Sequence, residues 1–277
     1  MVQFSIITIN YNNKAGLEKT IKSVISQTDA SFEYLVIDGG SIDGAVDVIK
    51  SHANKINFWC SEKDKGIYDA QNKGIAKASG AYLLFLNSGD SFHDSKVLQR
   101  VGEAIDKESH KLVYGDTDLL NEDNSITHLV PPQKLNLNFW YANTLNHQAV
   151  FAHKTLFDEL GKFSLKYKYA SDFDFLFKCY KKYPNEFAHV NQVICDYDNT
   201  GLTSNVNLYD LIINEREDIL KTNASSDEYK SMRKAYFSTL TLKKKYQILS
   251  KQNLFLKYTL KPAYGVYKFV RNIIKGK

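Results

Sequence analysis

Residues 4–9 (FSIITI) form a short apolar run rich in β-branched side chains, the pattern of a strand buried on both faces. Leu17, Ile21, Val24 and Ile25 then recur at the spacing of one helix face. A second apolar run, residues 32–37 (FEYLVI), ends in Asp38-Gly39-Gly40, and residues 43–52 predict a helix with Val46 and Ile49 turned inward. Residues 56–60 predict a third strand, 67–78 a helix, and 81–86 (AYLLFL) a fourth strand. Strand and helix in alternation predict right-handed crossovers and an α/β fold with a mostly parallel, Rossmann-like sheet and flanking helices. Parallel strands covered on both faces account for runs that are continuously apolar rather than alternating.

The rhythm breaks after residue 115. Residues 116–146 are polar and rich in Asn, with Pro131-Pro132, and predict loops and short strands. Phe173, Leu176, Phe177 and Tyr180 predict a helix over 172–182, residues 193–197 a late strand, and 207–250 a mainly helical C-terminal region. This divides the chain into 1–115, 116–228 and a tail, 229–277.

Ligands of an open parallel sheet bind beyond the carboxyl ends of its strands. Those ends carry Thr8, Asn10, Tyr11 and Asn12 after the first strand, and Asp38-Gly39-Gly40-Ser41 after the second. Glu62, Asp64 and Gly66 follow the third, and Asn87-Ser88-Gly89-Asp90 the fourth. A nucleotide site needs an aromatic to stack on the base, a carboxylate to accept from base or ribose, and glycines where backbone approaches closely. Tyr11 and Asp38 fit the first two needs, and Asp90 is placed to hold a divalent cation against a diphosphate. Taken singly, Gly39, Gly40 and Gly89 read equally well as turn residues, and Asp43 and Asp94 read as helix caps. Neither GxGxxG after the first strand nor GxxxxGK[ST] anywhere is present, which weakens the dinucleotide-oxidoreductase and P-loop readings.

Three segments carry a family resemblance: SIITINYNN, EYLVIDGGSIDG and GIYDAQNKGIAKASGAYLLFLNSGD. In the third, Gly66, Ala70, Asn72, Gly74, Ala78, Gly80, Phe85, Leu86 and Asp90 fall in step with the motif. Residues 1–115 thereby resemble the inverting family 2 glycosyltransferases of the GT-A fold. Asp69 and the ending NSGD are like a subgroup of bacterial polysaccharide, O-antigen and colanic-acid clusters. The second half is similar more loosely, through Asn146-His147-Gln148, Ala170-Ser171-Asp172-Phe173-Asp174 and Thr200-Gly201-Leu202-Thr203-Ser204. The resemblance implies a nucleotide-sugar donor, UDP being the family's usual nucleotide, and a saccharide or lipid-linked saccharide acceptor in polysaccharide biosynthesis. It implies substrate contacts from Thr8, Tyr11, Asn12, Asp38, Gly40, Asp69, Asn72, Asn87, Ser88, Gly89, His147 and Gln148. It also implies Asp172 as catalytic base and Mg²⁺ or Mn²⁺ held through Asp90. Where the family's metal motif has several aspartates, Asn87, Ser88 and Gly89 leave only the last, which puts metal dependence in question. Asp174 cannot share a helix face with Asp172 and reads as a structural or acceptor contact.

Charge changes the picture of the tail alone. The net charge of +5 conceals an acidic body, because residues 229–277 hold 13 Lys and Arg and no acid, leaving 23 basic against 31 acidic residues in 1–228. From Pro262, the residues Ala263, Val266, Val270, Ile273 and Ile274 fall on one helical side and Lys268, Arg271 and Lys275 on another. This predicts a basic amphipathic helix suited to an anionic membrane surface, hence a cytoplasmic enzyme held peripherally at the inner face. The acidic body argues against nucleic acid as a partner. No signal peptide or membrane span is predicted, and Cys60, Cys179 and Cys195 lack metal spacing and read as reduced thiols. Two other classes compete: a sugar nucleotidyltransferase, which would need a Gly-rich basic loop where Asn10-Tyr11-Asn12-Asn13 stands, and a non-catalytic nucleotide-binding protein.

Overall fold

A computed structural model describes residues 3–108, 110–199 and 208–240. The strands are β1 (Phe4–Asn10), β2 (Phe32–Asp38), β3 (Phe58–Ser61), β4 (Tyr82–Phe85), β5 (Ser91–Phe92), β6 (Leu112–Leu120), β7 (Ile126–Leu129), β8 (Val150–His153) and β9 (Phe187–Asp198). The helices are α1 (Lys14–Ile25), α2 (Ala45–Ser51), α3 (Ile67–Lys77), α4 (Val97–Lys107), α5 (Phe139–Ala142), α6 (Thr155–Leu160), α7 (Ser171–Lys182), α8 (Tyr209–Asn223) and α9 (Ser226–Thr239).

Among the described residues the strands form one sheet in the order β3-β2-β1-β4-β8-β6-β9-β5, with β7 paired to β6. The β3-β2-β1-β4 portion is parallel, as the alternation of strands and helices predicts. Beyond it β8 runs antiparallel to both β4 and β6, and β9 returns parallel to β6. Residue 115 lies within β6, so the sheet continues across that point.

Alternate residues of β1 face opposite layers. Phe4 and Ile6 join Leu17, Ile21 and Val24 of α1, Val48 and Ile49 of α2, and Val97, Leu98 and Val101 of α4 in one core. Ile7 faces α3, where any side chain at Gly74 would collide with it at 2.5 Å. On that same face Phe85 of β4 meets the rings of Phe157 and Phe163, and Phe157 stacks on Phe175 of α7. In α2 the inward positions are Ala45, Val48 and Ile49, so Val48 takes the place expected of Val46. The helix begins at Ala45, and i, i+3, i+4 from there defines the stripe. The helical region after residue 207 is broken at Ala224 and Ser225, where Ser225 and Glu228 form a reciprocal capping box that starts α9.

The chain forms two compact units, Met1–Asn136 with Asn143–Ala224, and Leu137–Ala142 with Ser225–Lys277. The first holds the whole sheet. In the second, Tyr141 of α5 packs its ring against Tyr229 and Tyr236 of α9. The tail helix expected from Pro262 lies outside the described residues, and no helix among those described is long and apolar enough to cross a membrane. Cys179 and Cys195 are buried free thiols and Cys60 is half-buried.

Candidate active site

The carboxyl ends of β1, β2, β3 and β4 meet on one rim. Asp38 ends β2 and is fully buried. Its carboxylate accepts hydrogen bonds from Asn10 Nδ2 (2.7 Å), the Gly40 amide (3.2 Å), the Ser41 amide (2.9 Å) and the hydroxyls of Ser41 and Ser61 (2.6 Å each). Burial alone would raise its pKa, but the two hydroxyls and the Asn10 amide outweigh burial and hold it below the ordinary carboxylate range. Asp38 is therefore the brace of the loop at 38–41, with Gly40 at φ +82°, a conformation few side chains adopt. Ser41 Oγ in turn accepts from the Asn12 amide (2.8 Å), and Asn12 Oδ1 accepts from the Ile42 amide (2.9 Å), tying the β1 and β2 loops together. The group left facing outward is the ring of Tyr11, 68% exposed. It lies beside Gly39 and the Asp64 carboxylate, 3.2 and 2.5 Å from where a Cβ on Gly39 would stand. An exposed ring next to a carboxylate is the arrangement a nucleobase would use.

Asp38→Ala would leave the donors of Asn10, Ser41 and Ser61 without their shared acceptor. A stability loss on the order of 3 kcal/mol is expected from unsatisfied buried donors, together with at least tenfold weaker nucleotide-sugar binding. Denaturant unfolding and calorimetric titration check both. Parental stability in this variant would show that the loop does not depend on the brace.

The turn Asn87–Asp90 is organised from α1. Thr20 Oγ1 donates to the Asp90 carbonyl (2.6 Å) and accepts from the Gly89 amide (3.0 Å), and Lys19 Nζ donates to the Gly89 carbonyl (2.9 Å). Gly89 sits at φ +108°. A side chain there would approach the Asp198 carboxylate at 3.4 Å. Asp90 is 4% exposed. Its Oδ1 accepts from the Asp198 amide (3.0 Å) and its Oδ2 from Gln148 Nε2 (3.1 Å). Burial pushes its pKa up to about 6 against the pull of these donors. The Asp90 carboxylate and the Asp198 carboxylate, the latter 3.4 Å from where a side chain on Gly89 would stand, are the hard-oxygen groups at this turn. Sequence reading missed Asp198, which arrives at the turn only through the pairing of β9 with β6 and β5.

Asp172 stands in the first turn of α7. Its Oδ1 accepts from Tyr68 Oη (2.9 Å) and the Phe173 amide (2.8 Å), and its Oδ2 lies 3.1 Å from His147 Nδ1. His147 Nε2 lies 3.1 Å from Asn87 Nδ2. An Nδ1–H on the ring donates to Asp172, and Nε2 meets the Asn87 side-chain amide. Burial alone would raise the Asp172 pKa, but the His147 hydrogen bond and charge, the Phe173 amide and Tyr68 prevail and lower it. Asp172 is thus ionised at neutral pH. The Arg216 guanidinium, 4.4 Å from the centre of the Phe173 ring, adds positive potential nearby.

His147 and Gln148 are adjacent residues, so a single two-residue step ties Asp172 and Asn87 to Asp90. Other residues expected at the substrate have hydrogen-bond partners within the protein. Thr8 is fully buried, donating to the Leu86 carbonyl (2.8 Å) and accepting from Tyr34 Oη (3.0 Å), because an even position of β1 faces the core. Asn72 exchanges two hydrogen bonds with the Phe163 backbone (2.9 and 3.0 Å) and so fastens α3 to the segment before α7. Asp69 accepts from the Lys65 amide (3.0 Å) and closes the start of α3. Ser88 exchanges hydrogen bonds with the backbone and side chain of Asn13 (3.2 Å each). Asp174 is held by Lys178 (2.6 Å) and Asn223 (3.1 Å), a structural role. Asp43 and Asp94 accept the amides two residues on, at Ala45 (3.1 Å) and Lys96 (2.8 Å), and so shape the turns before α2 and α4, while Gly44 and Lys96 take the cap positions expected of the two aspartates. The segment Thr200 to Ser204 lies outside the described residues. Tyr68, Gln71, Asp198 and Arg216 were not singled out by sequence, although Tyr68 and Gln71 flank Asp69 and Asn72 within the long motif.

The family model for Glycosyl transferase family 2 matches residues 5–164. A PGL/p-HBAD biosynthesis glycosyltransferase of Mycobacterium bovis is 31% identical over 206 residues, 73% of this chain and 79% of that protein. The Escherichia coli UDP-Glc:alpha-D-GlcNAc-diphosphoundecaprenol beta-1,3-glucosyltransferase WfgD is 29% identical over 171 residues, 61% of this chain and 66% of that protein. Among solved structures, S. aureus TarS 1–349 in complex with UDP-GlcNAc superposes with a TM-score of 0.65 at 19% identity, covering 88% of this chain and 78% of that one. Of the longer TarS structure the chain spans 47%.

Proposed function

Because the chain belongs to glycosyl transferase family 2 and is a glycosyltransferase, we propose that it transfers a sugar from a UDP-sugar to a saccharide or lipid-linked saccharide acceptor, by inverting single displacement, in cell-surface polysaccharide synthesis. WfgD, named for a diphosphoundecaprenol-linked acceptor, and TarS, solved with UDP-GlcNAc, support these substrate classes. The observation that carries the reading is the tie between the two carboxylates. His147 holds Asp172 and Gln148 holds Asp90, so a base and an anchor for the leaving group are set at a fixed separation.

In this reading Tyr11 stacks on the base, and the loop braced by Asp38 receives the nucleoside. Asp172 accepts the proton of the acceptor hydroxyl as its oxygen bonds to the anomeric carbon. The hydroxyl becomes strongly acidic as that bond forms, so a carboxylate of depressed pKa suffices. The bond to the nucleoside diphosphate breaks on the opposite side. Asp90 and Asp198 would hold Mg²⁺ or Mn²⁺, whose charge would stabilise the departing diphosphate. Lys19, whose ammonium reaches the Gly89 carbonyl, is a positive charge beside the same turn. A thermal-shift screen of sugar nucleotides, with and without Mn²⁺, followed by a transfer assay on the best donor, tests the assignment. No stabilisation by any UDP-sugar would refute it.

The tail supports a place at the inner face of a membrane. Each Lys or Arg near an anionic surface contributes up to about 1 kcal/mol, screened by salt, while the apolar stripe from Ala263 to Ile274 adds burial that salt does not screen. The full chain should therefore sediment with anionic liposomes at low salt and weakly at high salt, and the double variant Val266→Asp, Ile273→Asp should bind at least tenfold less. Indifference of the parent to anionic vesicles would end the membrane assignment.

A further inference from the structure

Apart from the site at Asp90, three strands bring together a second group of ligand-type side chains. His93, one residue past β5, Asp118 on β6 and Asp196 on β9 place one ring nitrogen and one oxygen of each carboxylate within 4.8 Å of one another. The sheet register sets this arrangement. Asp118 stands opposite Asp196 on β9 and opposite His128 on β7, and β5 pairs with β9 so that Ser91 faces Asp196. His93 is fixed by its amide, which donates to the Ile194 carbonyl (3.1 Å), and its Nδ1 lies 2.7 Å from Asp196 Oδ1. Directly opposed carboxylates on neighbouring strands repel, and strand pairing gains nothing from having them there. His128 Nδ1 contacts the Asp118 carboxylate from the other side and sets its orientation.

We propose that His93, Asp118 and Asp196 bind a divalent transition-metal ion of the Zn²⁺ class, at a site separate from the cation site at Asp90. The donor set argues for that class. Mg²⁺ and Ca²⁺ favour all-oxygen ligands, whereas one imidazole with two carboxylates suits Zn²⁺, and two negative charges balance the ion. His128 supports a ligating carboxylate, as such outer hydrogen bonds commonly do at metal sites. The ion fastens β5 to β6 and β9. β5 begins one residue after Asp90, and β9 ends at Asp198, whose amide holds Asp90, so the clip stiffens the frame of the catalytic turn without touching substrate.

The test uses the full chain after chelator treatment and dialysis, titrated with ZnCl₂ by calorimetry and followed by thermal unfolding. The parent should take up an equivalent that does not depend on Asp90, and gain melting temperature. His93→Ala and Asp196→Asn should each weaken uptake at least tenfold and lose the thermal gain, while Asp90→Asn keeps both. Circular dichroism verifies folding of each variant, and His93→Gln replaces His93→Ala should the latter misfold. Co²⁺ absorption gives a second reading: a ligand-field band in the parent that disappears in Asp118→Asn. Failure of the parent to bind Zn²⁺, or parental binding by His93→Ala and Asp196→Asn, would overturn the proposal.

Discussion

Asp172→Asn should leave the protein folded and able to bind donor while lowering transfer by about 10²-fold or more, the scale for loss of acid–base catalysis. The hydrogen-bond network explains why the fold should tolerate it. An Asn oxygen can still accept from Tyr68 Oη and the Phe173 amide, the two donors to Asp172 Oδ1. Its amide nitrogen would face His147 Nδ1, so the ring must take the other tautomer, and the Asn87 amide can then flip to accept from Nε2. The chain of contacts survives with its polarity reversed, and only the basic carboxylate is lost. Donor titration and single-turnover transfer measure the two halves separately. Near-parental transfer would move the base elsewhere. The pH profile adds a signed check. Asp172 acts ionised, and its pKa is lowered. The active form therefore persists as pH falls, to below the range in which a free aspartate takes up its proton. Any loss of rate near pH 6 belongs to another group.

The parallel half of the fold was legible because β1, β2 and β4 are continuous apolar runs, a pattern that burial on both faces produces. The strand β6 was obscured at its second half for the opposite reason. Asp116, Thr117 and Asp118 are polar because they face His189, Cys195, Asp196 and His128 on neighbouring strands rather than an apolar layer. A residue chosen by its pairing partner has no signature in a window of sequence. The candidate site divides in the same way. Asn87, Asp90, His147, Gln148 and Asp172 lie in short motifs and are joined by hydrogen bonds. Asp198 could not be read, since only the run of β9 past β6 carries it to the turn. Thr8 and Asn72 show that motif residues also serve the fold, through hydrogen bonds to Leu86, Tyr34 and Phe163.

Asp90→Asn should reduce turnover by about 10²- to 10³-fold, the range for removing a group that stabilises charge developing in the transition state. The substitution keeps the shape of the side chain, and its oxygen can still accept the Asp198 amide, while Gln148 can turn its own carbonyl toward the new nitrogen. What disappears is the negative charge that would retain a divalent cation. Stability separates this from misfolding. Burial raises the Asp90 pKa to about 6. The folded state therefore binds more protons than the unfolded chain between about pH 4 and 6, and stability falls as pH rises through that window. Above it, the ionised carboxylate disfavours the fold, so Asp90→Asn should be at least as stable as the parent at pH 7 when both are stripped of metal. Adding EDTA to the parent should bring its rate down to that of Asp90→Asn, and should leave the variant unchanged, because both treatments remove the same positive charge from the leaving diphosphate. Full parental activity in EDTA would assign that charge to Lys19, and Asp90 would then serve only to fix Gln148 and the end of β9.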